Sequence, residues 1–298
     1  VEAFHWGRWT SGSWTQALWI LLIPFGIVNA AQFMLPSPGD RTRSRFFHAF
    51  SGAVLRLLAL LLTALFAIGV CVIALDLLAW QWLARMDLPG DDRVVVAPAV
   101  LVAVVAVYAL SFLGRSHAGR RRYGAAMEAD GLPDLRDIAF FDGDPDSPSL
   151  RHLHRAAALF LVSWVGVSAV AGSRPMLADL GRWAPGLGLA VTVAVVFVLG
   201  DPERTTTVAG GDGRWRRWWH GISADGEARA GDPPSERVAR ALHRLGLAAA
   251  LSAAVAIAVA PVDGSGELPD GERALPGIED AAAIGGLGGA ALVLLLFV

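Results

Sequence analysis

Seven stretches of this chain carry no charged residue, at 9–39, 57–75, 94–114, 156–173, 183–200, 245–262 and 281–298, and the charges crowd the segments between them. The shortest stretches hold 18 residues, and a helix of that length extends about 27 Å, close to the roughly 30 Å hydrocarbon core of a bilayer. The pattern predicts an all-α fold, a polytopic integral membrane bundle of about seven hydrophobic helices. They are expected near 15–36, 55–83, 94–114, 154–173, 184–200, 241–261 and 281–298. A short N-terminal segment, 1–16, would precede a membrane domain over 17–298, with polar arms at 115–153 and 201–240.

The first window is ambiguous. Pro24 removes one backbone hydrogen bond and kinks a helix, and Asn29 and Gln32 fall three apart on one helical face. As a full span, the segment places the N-terminus outside. As a re-entrant or surface-lying helix, it leaves the N-terminus inside and six spans behind it. Val28-Asn29-Ala30 imitates a signal-peptide cleavage site, but residues 1–16 hold four aromatics and a single arginine, Arg8, the wrong leader for one.

The 25 basic residues are all arginine, and 19 of them lie in the three connections 40–56, 115–155 and 201–244. Short connections rich in arginine stay on the cytoplasmic side, so these three are expected inside. The turns 76–93, 174–182 and 263–280 are expected outside, in a multi-pass protein of the cytoplasmic membrane. Tryptophans favour the membrane–water interface, and Trp80, Trp82 and Trp183 stand at the outward ends of windows, with Trp215, Trp218 and Trp219 at a cytoplasmic end. Trp164 lies inside a window, where packing against a neighbouring helix accounts for it.

Hydrophobic residues make up 54% of the chain and charged residues 17%, against about 45–50% and 25% in soluble domains. The net charge of −2 gives no reason to expect nucleic acid as a partner. Cys71 is the lone cysteine, so no internal disulfide is possible. The chain ends on Val298 with no charge after Asp280, which suggests a final helix cut short.

Candidate chemistry is sparse. Asp76 is the acid close to the hydrophobic centre of a run, Ala74-Leu75-Asp76-Leu77-Leu78, and an intramembrane carboxylate is a candidate for proton or ion handling. Twenty residues beyond Arg56, however, it lies about 30 Å away, which suits an acid at the outer interface. Asn29 and Gln32 can bond a neighbouring helix or a substrate. Arg214-Trp215-Arg216-Arg217-Trp218-Trp219 interleaves cations with indoles and suits an interface with anionic headgroups. Gly285 and Gly289 form a small-residue pair for helix packing. Asp142, Asp144 and Asp146 lack the glycine and closing glutamate of a calcium loop. His152 and His154 lack the spacing of a zinc helix. No nucleophile elbow, phosphate loop, cysteine cluster or dinucleotide fingerprint occurs. No catalytic residue, cofactor or metal is therefore expected.

Two stretches carry a resemblance. One runs from Glu2-Ala3-Phe4-His5-Trp6-Gly7 through Thr10-Ser11-Gly12-Ser13 into Ala17-Leu18-Trp19-Ile20-Leu21-Leu22-Ile23-Pro24-Phe25, with Val28-Asn29 following. The other is Asp137-Ile138-Ala139-Phe140-Phe141-Asp142-Gly143, followed by Leu150-Arg151-His152-Leu153-His154. Both resemble uncharacterised actinobacterial polytopic membrane proteins associated with an α/β-hydrolase-like domain. The resemblance covers about a fifth of the chain and touches framework only. It implies that Val1–Trp9 is the remnant of a hydrolase strand, that the N-terminus is cytoplasmic, and that the catalytic residues lie outside these 298 residues. The expected partners are the bilayer with anionic headgroups, a hydrolase-like domain and other membrane helices. The expected role is the membrane module of a larger hydrolase-like protein; a transporter or channel subunit and a non-catalytic envelope scaffold are the alternatives.

Overall fold

The computed structural model describes residues 23–33, 42–86, 93–113, 147–170, 175–199, 218–219, 232–259, 275 and 278–296. Among them are seven α-helices and no strand: α1 Ile23–Phe33, α2 Thr42–Cys71, α3 Arg93–Leu113, α4 Ser147–Ser168, α5 Pro175–Val198, α6 Pro234–Val259 and α7 Ile278–Leu296. The all-α bundle is therefore what forms. Among the described residues, four stretches are long and apolar enough to cross a bilayer by length and composition: 47–82, 95–112, 181–198 and 234–259. The chain is built as a membrane protein with several spans. Of the first window only α1 is described, 11 residues or about 16 Å of helix. The side chains of Asn29 and Gln32 lie outside the described residues.

α4 is the centre of the bundle and packs against α2, α3, α5, α6 and α7. From Leu153 to Val170 its residues are buried apart from His154 and Trp164. Small side chains make such enclosure possible, because apolar helices in lipid associate through close van der Waals packing. Ala156, Ala157 and Ala158 are buried. Against them, a Cβ at Gly246 of α6 would meet the Ala156 carbonyl oxygen at 3.1 Å.

The seam with α5 works by the opposite device. Phe160, Trp164 and Val167, one face of α4 at helical spacing, project onto Gly188, Gly186 and Gly181 of the antiparallel α5. A Cβ at Gly186 would stand 2.5 Å from Trp164 Cζ3, and one at Gly181 2.6 Å from Val167 Cγ1. Trp164 does pack on a neighbouring helix, as its position inside a window suggested.

α2 changes character beyond Cys71. It continues as a π-helix over Val72–Trp82 and closes in a 3₁₀ turn, Leu83–Arg85. A π-helix bonds each residue to the one five ahead, so side chains five apart come onto one face. Asp76 and Gln81 use that spacing: Gln81 Nε2 donates to Asp76 Oδ2 at 2.9 Å. In an α-helix, partners three or four apart would meet instead.

α7 lies on α2. A Cβ at Gly288 would meet Leu61 and Leu65 at 3.3 Å, and one at Gly285 would meet Ile68 at 3.7 Å, whereas Gly289 has nothing within 4 Å. The packing pair is thus Gly285 with Gly288, three apart, rather than Gly285 with Gly289.

Candidate functional site: a polar cavity at the arginine-rich end

The polar contacts sort the helix ends into two groups. At one end, Leu275 N–H donates to Asp76 Oδ1 at 2.8 Å, buried, and Arg182 Nε donates to Ser168 Oγ at 3.1 Å. At the other end, the C-terminal turns of α3 meet the N-terminal turns of α4 and α6, next to the arginine-rich connections. Arg155 and Ser168 mark the two levels on α4, thirteen residues or about 20 Å apart. Between those levels the described helices carry no aspartate, glutamate, arginine or histidine. Hydroxyls near or within this slab turn back onto their own helices: Thr63 Oγ1 donates to Ala59 O at 3.1 Å and Thr192 Oγ1 to Gly188 O at 2.7 Å. What fills the slab is the main apolar core, with Cys71, Leu75, Val96, Val100, Leu159 and Val162 at its heart.

The arginine-rich end is different in kind. Tyr108 Oη lies 2.7 Å from His243 Nε2, and His243 Nδ1 lies 3.2 Å from His152 Nδ1. Three helices, α3, α6 and α4, thereby share one chain of polar atoms. Beside it Arg155 Nε donates to Ser111 Oγ at 2.6 Å, with its guanidinium carbon 5.3 Å from the centre of the Tyr108 ring. Such a placement combines a hydrogen bond with a cation–π contact and fixes the plane of the guanidinium.

His154, on the next face of α4, pairs with Thr63, Nδ1 to Oγ1 at 2.6 Å. The threonine's one proton goes to the Ala59 carbonyl, which can only accept, so His154 Nδ1 is the donor in this pair and Nε2 is left for another partner. On the same face of α6, one turn before His243, Arg240 is clamped by two acids at 2.8 Å, Nη1 to Asp232 and Nη2 to Glu236.

Between α1, α2, α3 and α4, this end forms an open-sided cavity of about 260 Å³. Phe25, Phe66, Val107, Leu110 and Ala158 form its apolar walls. Thr63, Ser111, Arg151, His154 and Arg155 form its polar side. No acid lines it. A metal ion would meet two arginines there, and no cluster of three or more metal-ligating side chains occurs among the described residues.

The sequence singled out little of this. Asp76 is buried, as a candidate should be, but both its oxygens are engaged in holding Gln81 and the segment leading into α7. Of the cation–indole segment, Arg214, Trp215, Arg216 and Arg217 lie outside the described residues. Trp218 is exposed and Trp219 buried, their rings 6.3 Å apart. Trp82 and Trp183 are exposed to the surroundings of the bundle while Trp80 is buried, so only part of the tryptophan set faces outward. Of the histidines at this end, the sequence singled out only His152 and His154, as a pair without the spacing of a zinc helix. The fold brings His152 to His243 because α4 begins at Ser147 and α6 at Pro234, so His152 sits on a helix rather than in the polar arm expected over 115–153. The signal available was helical periodicity carried backwards from the apolar windows.

No family model, curated protein or solved structure matches the chain.

Proposed function

We propose that this chain is the membrane module of a larger hydrolase-like protein, anchoring that domain at the cytoplasmic face and presenting lipid-like substrate to it, and that it neither conducts solutes nor catalyses a reaction itself. The observation that carries this reading is the slab about 20 Å deep without an aspartate, glutamate, arginine or histidine on any described helix between the Arg155 and Ser168 levels. A transport route through a bundle places ionisable groups at mid-depth, and here the carboxylates, guanidinium groups and imidazoles of the described helices stand at the two ends. The sorting of 19 of 25 arginines to one set of connections supports a cytoplasmic position for that end. The interleaved segment 214–219 supports contact with anionic headgroups there.

Two measurements test the reading. Vesicles holding the purified chain should dissipate an imposed proton or potassium gradient no faster than empty ones. A hydrolase domain encoded beside this reading frame should move into the membrane fraction only when the chain is coexpressed. Protein-dependent collapse of the gradient would replace anchoring with transport, and a hydrolase domain indifferent to the chain would remove the partner. Orientation is read from single cysteines at Ser147 and Ser223 in a Cys71→Ser background: an impermeant maleimide on intact cells should label neither, and labelling of both would invert the topology.

A further inference from the structure

We propose that His152 and His243 form a proton-sensitive latch that holds the first turns of α6 against α4 at neutral pH and releases them in acid, whether or not the chain anchors a hydrolase. The geometry limits how many protons the pair can hold. The two Nδ1 atoms lie 3.2 Å apart, so one carries a proton and the other a lone pair. On its far side, His243 Nε2 meets Tyr108 Oη at 2.7 Å, which engages both nitrogens of that ring.

With both rings neutral, Tyr108 Oη–H donates to His243 Nε2, and His243 Nδ1–H donates to His152 Nδ1. A first added proton reverses the run. It ends on His243 Nε2, which then donates to Tyr108 Oη, while His243 Nδ1 passes its own proton to His152 Nδ1 and accepts from it. A second added proton has to go to His243 Nδ1, where it faces the N–H of His152 with no acceptor between them. The contact survives one proton and breaks at the second, as two coupled groups titrate in two steps.

The surroundings sharpen the break. Arg151 and Arg155 of α4 and Arg240 and Arg244 of α6 act on the pair with like charge. The carboxylate acting on it is Glu236 of α6, already bonded to Arg240 at 2.8 Å. From α3 comes the uncharged Tyr108, and His154 turns instead to Thr63 of α2. Burial, then the charges of Arg155, Arg240 and Arg151 against that of Glu236, hold the His152 imidazole below its ordinary range. With the unfolded value near 6.5, the contact stabilises fully above that pH and is lost as pH falls through the lower folded value. Gly246, where a Cβ would meet the Ala156 carbonyl oxygen at 3.1 Å, keeps the next turn of α6 seated. Release is therefore confined to the turns before it, which bury Ala239 and Leu242 in one apolar cluster with Leu153 and Ala156.

The test uses the full chain in dodecyl maltoside with one thiol, Ala239→Cys in a Cys71→Ser background. Ala239 is fully buried, and a dithiodipyridine reagent reads thiol exposure in acid as well as at neutral pH. Its rate on folded protein is divided by its rate on the same variant unfolded in dodecyl sulfate, which removes the titration of the thiol itself. From about pH 7.5 to about pH 4.5, the range that histidine governs, the ratio should rise at least about tenfold, the factor supplied by one pKa unit. His152→Phe and His243→Phe, two separate ways to remove one of the facing imidazoles, should each hold the rise to within about twofold. His154→Phe should leave it intact. Native Cys71, read in the otherwise unaltered chain, should stay protected throughout, because it lies in the main core. A flat profile at position 239, a rise that persists in both phenylalanine variants at 152 and 243, or exposure of Cys71 in step with position 239 would each overturn the latch.

Discussion

α4 and α5 lie side by side and solve opposite problems. α5 has Trp183, Leu187, Val191, Phe197 and Val198 exposed to its surroundings, and it belongs among the helices long and apolar enough to span a bilayer. α4 is enclosed by its neighbours from Leu153 onward, yet it is not among those helices, because Arg151, His152, His154 and Arg155 occupy its first turns. A lipid-facing helix must present apolar atoms at every depth, since hydrocarbon offers no hydrogen bonds. An enclosed helix meets protein instead, so it can carry arginine and histidine wherever a neighbour supplies the partner. High hydropathy therefore marks contact with lipid rather than position at the centre. The helix bearing the chemistry of this protein is the one hydropathy ranks low.

The seam between the two helices is the sharpest place to break that contrast. Gly188→Leu would drive a branched side chain into the ring of Phe160, which already fills the space where a Cβ would stand. Overpacking of a tight contact costs about 1–3 kcal/mol and occasionally more, and with no flexible neighbour to yield, about 3 kcal/mol is the expected loss. The readout is thermal unfolding in detergent. Leu187→Ala, one residue away on the exposed face, should change stability by less than about 0.5 kcal/mol. Equal effects at the two positions would mean that α5 does not seat on α4 through its glycines.

A smaller effect is expected at the opposite end of the bundle. Asp76→Ala leaves the buried Leu275 N–H without its acceptor, a loss of about 1–3 kcal/mol, and loosens α7 from α2. Cys71 reports on this directly, because it is fully buried in the core one turn before Asp76. Its alkylation by N-ethylmaleimide should quicken in Asp76→Ala and stay slow in Asp76→Asn, whose side-chain oxygen still accepts from Leu275. A protein that loses function in Asp76→Asn while Cys71 stays protected would make this acid a proton-handling group instead.

The windows, the sorting of the arginines and the place of Trp164 were legible in the chain, because each follows from a local contrast between oil and water. What was not legible depends on which helix lies opposite. The spacing of Gly285 and Gly289 marks a small-residue face, but Gly288 is the residue that meets Leu61 and Leu65. The π-helical turns around Asp76 leave no mark in Val72–Trp82, which holds neither glycine nor proline. His152 and His243, whose ring nitrogens meet, lie 91 residues apart, and only the run of α4 beside α6 brings such positions together. The cavity was hidden for the same reason, since its walls come from four separate windows.

The least costly change probes whether the three polar groups of α3, α4 and α6 act as one chain. Tyr108→Phe keeps the ring beneath Arg155 and removes only the hydroxyl that meets His243 at 2.7 Å. A hydrogen bond between membrane helices averages about 0.6 kcal/mol, so a loss of that size is expected. His152→Phe should cost a similar amount by freeing the other nitrogen of His243. If His243 passes one polarised N–H between its two neighbours, the first loss already weakens the second contact, and the double variant should fall short of the sum by at least about 0.5 kcal/mol, as coupled residues do. Strict additivity would separate the tyrosine from His152. The polar end of α4 would then be two independent contacts rather than a connected network.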